Sequence, residues 1–248
     1  MRPIKLKWKM QLVVILAVGF ALKFHYSIAD VNQLRWILAP TTRLVEIITG
    51  TQFNFEAHAG YMSADHTFLI AASCAGVNFL LTAFLMLALG RWWRDRQSDL
   101  SWIFIPLTAL LAFAATLVAN TVRISTALRL HRLPGDFNWL DPEQLHRFEG
   151  IFIYFGFLLL LYLFMERKHV LSKSIWSRHS LFPLAVYYAT TLGIPVVNGA
   201  FKQGAEFWEH AIFVIAIPLI FIMPLLAWKL LRQTISNLKT KQTPVGQG

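Results

Sequence analysis

The 248-residue chain has one cysteine, Cys74, and only 15% charged residues. A single thiol cannot close an intramolecular disulfide. There is also no CxxC pair and no Cys/His group with zinc spacing, so a disulfide-stapled domain and a zinc-ribbon fold are both excluded. Soluble domains carry about a quarter charged residues, and the shortage of charge here argues against a water-soluble fold. Acidic residues are the scarcer sign, 13 against 23 lysines and arginines, leaving a formal charge of +10. In a soluble protein such an excess would point to nucleic acid. Here most of the basic residues flank apolar runs, where they anchor membrane spans and set topology; no nucleic-acid partner is expected. Internal repeats are lacking as well.

What the chain does have is apolar length. Hydrophobic residues make up 56%, the mean hydropathy is +0.51, and the apolar residues come in long runs. A span needs about 20 mostly apolar residues. Six segments meet or approach that length: about Met10–Ile28, His66–Leu89, Ser101–Ala119, Phe148–Met165, Leu181–Val197 and Ala211–Trp228. These predict an all-α, polytopic membrane helical bundle of about six transmembrane helices. The basic, then apolar start "MRPIKLKWKMQLVVILAVGFALKF" reads as an uncleaved first span, because no small-x-small cleavage site follows. Its outer end carries Lys23 and His25, where long side chains snorkel. The fifth segment, with Pro183 and Pro195, is the weakest, and Pro218 and Pro224 predict kinks in the sixth.

With the amino terminus in the cytoplasm, the inner segments hold 15 of the 23 lysines and arginines, including Lys5, Lys7, Lys9, Arg91, Arg94, Arg167 and Lys229. This satisfies the positive-inside rule and places both termini in the cytoplasm. Residues 1–235 then form one membrane domain, and 236–248 a disordered cytoplasmic tail. Two outer loops remain. The first, residues 29–65, reads as two short interfacial amphipathic helices interrupted at Pro40. The second, residues 120–147, has a turn at Pro134-Gly135 and a helix start at Asp141-Pro142.

Three groups bring polarity to the outer leaflet, where an ionisable side chain is a candidate functional residue. Cys74, in "AASCAGVNFL", lies about 12 Å along a helix that starts near His66. Alone it reads as packing, since Ala72, Gly76 and their small neighbours suit close helix contacts. Asn78 lies one turn below it and serves as interhelical glue or orients a site. In "ANTVRISTALRL", Asn120 and Arg123 share a helix face, and Arg123 closes the third span as an interface anchor; Arg129 and Arg132 read as loop charges. In "HRFEGIFIYFG", His146 stands one turn before Gly150, where the missing side chain admits another group, and Glu149 is placed to hold the imidazole tautomer. Each has a bland reading by itself. Together, one Cys, one Arg and one His end three successive spans on one side, which are the parts of a thiol acyl-transfer site. A guanidinium stabilises a thiolate and later an oxyanion; an imidazole moves the protons.

The ordered set Ser73-Cys74-Ala75-Gly76, Asn120-x-x-Arg123 and His146-x-x-x-Gly150 resembles the exosortase/archaeosortase family of membrane transpeptidases, over roughly residues 66–165, and among its subtypes looks most like exosortase K. The resemblance implies a membrane cysteine peptidase with Cys74 as nucleophile, Arg123 as stabiliser and His146 as acid/base, needing no cofactor or metal. It implies as partners exported proteins bearing a carboxy-terminal sorting signal (a motif often Pro-Glu-Pro, a transmembrane helix, a basic cluster), transferred to an envelope acceptor from a bacterial inner membrane. Two other classes remain open on the residues alone: a non-catalytic membrane protein, such as a small transporter or assembly factor, and a lipid-modifying acyltransferase.

Overall fold

The first apolar run forms helix α1, Pro3–Ile28. Leu6, Val13, Phe20 and Phe24 are exposed along it, while Gln11 and Ile15 are buried. That is a helix with one protein-facing stripe and a broad lipid-compatible surface. The computed structural model describes residues 3–94, 101–132, 142–170 and 182–242, and these are mostly helical.

The segment expected to form the first outer loop departs from its predicted form. Instead of two interfacial helices it holds one, α2, Arg35–Thr49, which runs through Pro40. A proline removes one backbone donor, and the helix persists because Ile37, Leu38, Thr41, Thr42 and Val45 bury a continuous face. After Gly50, in the left-handed conformation (φ 69°), come three short antiparallel strands: β1 Phe53–Glu56, β2 Gly60–Ser63 and β3 Leu69–Ile70, in the order β1-β2-β3. Phe53 pairs with Ser63, and Tyr61 with Ile70. The Glu46 carboxylate of α2 accepts a hydrogen bond from the Phe53 backbone N–H at 3.0 Å, and the Arg35 guanidinium lies 4.5 Å from the centre of the Phe55 ring. Helix and sheet thus form one cap.

The second span also begins later than predicted. Residues 72–75 make a 3-10 turn, and α3 covers Val77–Arg94. An apolar run does not by itself distinguish a buried strand and turn from the start of a helix. Helix α3 is the centre of the bundle. Phe79, Leu80, Ala83, Phe84 and Leu87 are all buried on it, and it packs against α1 and against α4, Phe104–Arg132. Two ties join α1 to α3. Near the basic ends, the Trp8 and Trp92 rings stack at 4.0 Å, and each indole N–H donates to the other's backbone carbonyl, at 3.4 and 2.9 Å. At the opposite end, Lys23 Nζ donates to Asn78 Oδ1 at 3.0 Å.

Helix α4 outruns its predicted end at Ala119 by more than three turns, so Arg129 and Arg132 are helical rather than loop residues. Its polar stretch looked like a loop but is buried: Asn120, Thr121 and Ser125 are at most 5% exposed. Helix α5, Pro142–Val170, begins at the expected proline; the Pro134-Gly135 turn lies outside the described residues. The fifth apolar segment runs without a gap through α6 Phe182–Tyr188, a π-bulge at Ala189–Gly193 and α7 Ile194–Val197, with helical backbone at both junctions. Pro195 accounts for the bulge, because it has no N–H to give and its ring opposes the regular i−4 contact. The last helix, α8, Ala205–Gln242, contains Pro218 and Pro224 and continues through 236–242. It packs against α5, where Arg147 and Glu209 approach to 4.0 Å.

Four stretches are long and apolar enough to cross a membrane: Leu6–Ile28, Ala72–Arg94, Phe104–His131 and Arg147–Met165. Leu184–Val197 and Phe207–Ile220 are shorter apolar helices. Helix length and composition alone thus support four spans among the described residues, and do not by themselves give the expected six.

Candidate functional site

Cys74 lies on the 3-10 turn, not within the helix. Its backbone N–H donates to Ala71 O at 2.9 Å, and its side chain is half-buried. The turn passes into α3 through Gly76, whose φ of 71° is left-handed. A Cβ there would lie 3.1 Å from Asn120 Cγ and 3.3 Å from the Thr116 methyl. Glycine is thus required twice, for its conformation and for the approach of α4. Asn78 sits beyond this change of direction. Its side chain accepts a hydrogen bond from Lys23 of α1.

Asn120 anchors the turn. Its Nδ2 donates to the Cys74 carbonyl at 2.7 Å, and its Oδ1 accepts from the Tyr154 hydroxyl of α5 at 2.7 Å. The amide is fully buried. With both its ends satisfied, it escapes the penalty of about 1–3 kcal/mol that each unmade buried hydrogen bond would carry. Arg123, one turn further along α4, extends its Nη1 to the same Tyr154 oxygen at 3.4 Å, with its guanidinium carbon 5.4 Å from the ring centre. A Cβ on Gly150 would lie 3.0 Å from Arg123 Nε. The open space expected at Gly150 is therefore occupied by the arginine itself.

The cluster extends further. Glu149, 7% exposed, lies within electrostatic range of Arg123. Cys74 lies within the same range of Arg123, Tyr154 and Tyr26 of α1. Phe79 of α3 packs on Tyr154 with ring centres 4.9 Å apart. The structure thus brings together Cys74, Gly76, Asn120, Arg123, Glu149 and Gly150, from three separate parts of the chain. His146 is one turn before Gly150 on α5; its side chain lies outside the described residues. Tyr154 and Tyr26 were missed from the sequence. Tyr154 was within reach, because it continues the helical series His146, Gly150, Tyr154 at four-residue spacing. Tyr26 carries no signal of its own, and only the packing of α1 on α3 brings it near.

The site lies at the end of the bundle opposite the Trp8–Trp92 stack. The Cys74 turn contacts both α2 and α4, so the cap formed by α2 and the sheet stands beside it. A half-buried thiol within electrostatic range of a guanidinium, with a buried carboxylate and two phenols, can support nucleophilic chemistry with oxyanion stabilisation. Among the described residues, no three His, Cys, Asp or Glu side chains form a group able to hold a metal ion. Fold and site together define a polytopic helical membrane protein with a polar cluster built into one end. No family model matches the chain, and neither curated proteins nor solved structures give a match.

Proposed function

We propose that the chain is a membrane-embedded cysteine transpeptidase of the exosortase type. The observation that carries this reading is the hydrogen-bonded link from the Cys74 carbonyl through Asn120 and Tyr154 to Arg123, 49 positions away in the sequence. Both ends lie within one polar cluster, on the same stretch of bundle as the α5 turn that bears His146. In this reading the Cys74 thiolate attacks a peptide carbonyl, and the oxyanion that forms is held by Arg123. Collapse breaks the C–N bond. His146 gives its proton to the departing amine, leaving an acyl thioester on Cys74. An acceptor amine or hydroxyl then loses its proton to His146 and attacks the thioester, and the thiolate departs.

The substrate of this reaction is an exported protein ending in a short motif, a transmembrane helix and a basic cluster. Its helix enters laterally from the lipid, and partial exclusion of water favours transfer over hydrolysis. In the same reading α6–α7 and α8 complete six spans in a bacterial inner membrane, both termini are cytoplasmic, and the site faces outward. The test follows processing of such a substrate in cells expressing the wild-type protein or Cys74→Ala. Cleavage stops in the variant; unchanged processing would sink the proposal.

The residues alone also admit a transporter or a lipid-modifying acyltransferase. Mass spectrometry of trapped Cys74 separates the readings. A peptidyl adduct supports the transpeptidase, a fatty acyl adduct a lipid-modifying enzyme, and no adduct on a functional protein the transporter.

A further inference from the structure

Four groups at the site form a chain of hydrogen bonds whose direction is fixed by chemistry. Arginine only donates, so Arg123 Nη1 must give its hydrogen to the Tyr154 oxygen, at 3.4 Å. The single hydroxyl hydrogen of Tyr154 is then directed to Asn120 Oδ1, at 2.7 Å. With its carbonyl occupied, the Asn120 amide turns its NH2 to the Cys74 carbonyl, at 2.7 Å. A flipped Asn120 would set a carbonyl oxygen against a carbonyl oxygen. The chain therefore has one internally consistent arrangement, and it connects the guanidinium to the backbone of the cysteine turn.

We propose that Tyr154 is a positioning residue: its hydroxyl holds Arg123 and Asn120 in register, so that the guanidinium keeps its place relative to Cys74. This rests on the reading of Cys74 as nucleophile and Arg123 as its stabiliser. The ring and the hydroxyl have separable tasks. The ring packs on Phe79 at 4.9 Å, a contact that phenylalanine would preserve. The hydroxyl alone reaches the two polar partners. Gly150 complements it from the same helix face, since its missing Cβ leaves the space that Arg123 Nε fills. One turn of α5 thus admits the arginine and the next fixes its end.

Because Cys74 is the only cysteine, alkylation of the full-length protein by iodoacetamide reports this site alone. Tyr154→Leu and Tyr154→Phe should both slow alkylation by about five- to tenfold, as expected for loss of a hydrogen bond to a charged partner. Failure of Phe to restore the rate is the decisive point, because a packing role would be rescued by the ring. In an Arg123→Gln background, Tyr154→Phe should add little, since the two act as a unit. Four outcomes overturn the inference: wild-type labelling in Tyr154→Phe, rescue of Leu by Phe, full additivity with Arg123→Gln, or faster labelling together with a lowered melting temperature. Substrate processing separates this failure from that of the transpeptidase reading. Wild-type processing in Tyr154→Phe, alongside an inactive Cys74→Ala, sinks the positioning role alone. An active Cys74→Ala sinks the transpeptidase.

Discussion

Two glycines shape the site, and they predict opposite balances of stability and activity. At Gly76 an added methyl meets Asn120 at 3.1 Å on a backbone with φ of 71°. The left-handed conformation alone costs an L-residue about 1–2 kcal/mol, and the contact adds to it. Gly76→Ala should therefore lower the melting temperature measurably, and an unchanged value would mean that the turn relaxes freely. At Gly150 the backbone is ordinary helix, where alanine is favoured over glycine by about 1 kcal/mol. The added methyl meets Arg123 Nε at 3.0 Å instead. Gly150→Ala should keep or raise the melting temperature while reducing substrate processing at least several-fold. Full processing in this variant would show that the guanidinium has room to move. Cys74, Asn120, Arg123 and Gly150 were legible in the sequence because each is an unusual residue type for its apolar setting. Tyr154 was missed although its four-residue spacing from Gly150 was there to read, since a tyrosine in an aromatic-rich helix reads as an interface residue.

At the level of elements, the cap around α2 was the part least legible. Its helix was visible from periodicity, and its sheet was not. Phe53 and Phe55 alternate as a strand requires, yet a four-residue alternation is too short to outweigh a neighbouring amphipathic pattern. The connection between helix and sheet is chemical as well as spatial. Glu46 uses one carboxylate oxygen to accept from the Phe53 N–H and the other to meet Arg43 at 3.2 Å. Glu46→Ala leaves that backbone donor unpaired and should cost about 1–2 kcal/mol. Limited proteolysis between residues 50 and 70 provides the readout. Faster cleavage than in wild type is expected; an identical digestion pattern would show that the sheet stands without α2. The same paucity of local signal explains why the second span was placed too early. Leu69 to Ala75 are as apolar as the helix that follows, and only the left-handed Gly76 divides them.

For the whole molecule, the sequence was most informative about the lipid-facing helices, where length and hydropathy suffice. The first and fourth spans end at Ile28 and Met165 as predicted. It was least informative where membrane helices carry buried polar residues, as along α4, or prolines, as in α6–α7. The proposed topology makes a prediction at this scale. A membrane-impermeant maleimide should label Cys74 from the outer side of intact cells, and a reporter fused after Lys202 should be outside while one fused at the carboxy terminus is inside. A reporter at 202 on the cytoplasmic side would show that the α6–α7 segment does not cross, and would leave four spans plus a helix that must be placed anew.

The Trp8–Trp92 stack has a consequence for synthesis. Its two halves are 84 residues apart, and at about 5–20 residues per second the ribosome takes roughly 4–17 seconds to make the intervening chain. For that interval α1 sits in the bilayer with Gln11 and the indole N–H of Trp8 lacking their final protein neighbours, while the whole α2 cap is made. The first helix of this protein is thus an early arrival that must be tolerated by lipid, or by the insertion machinery, until its partner emerges.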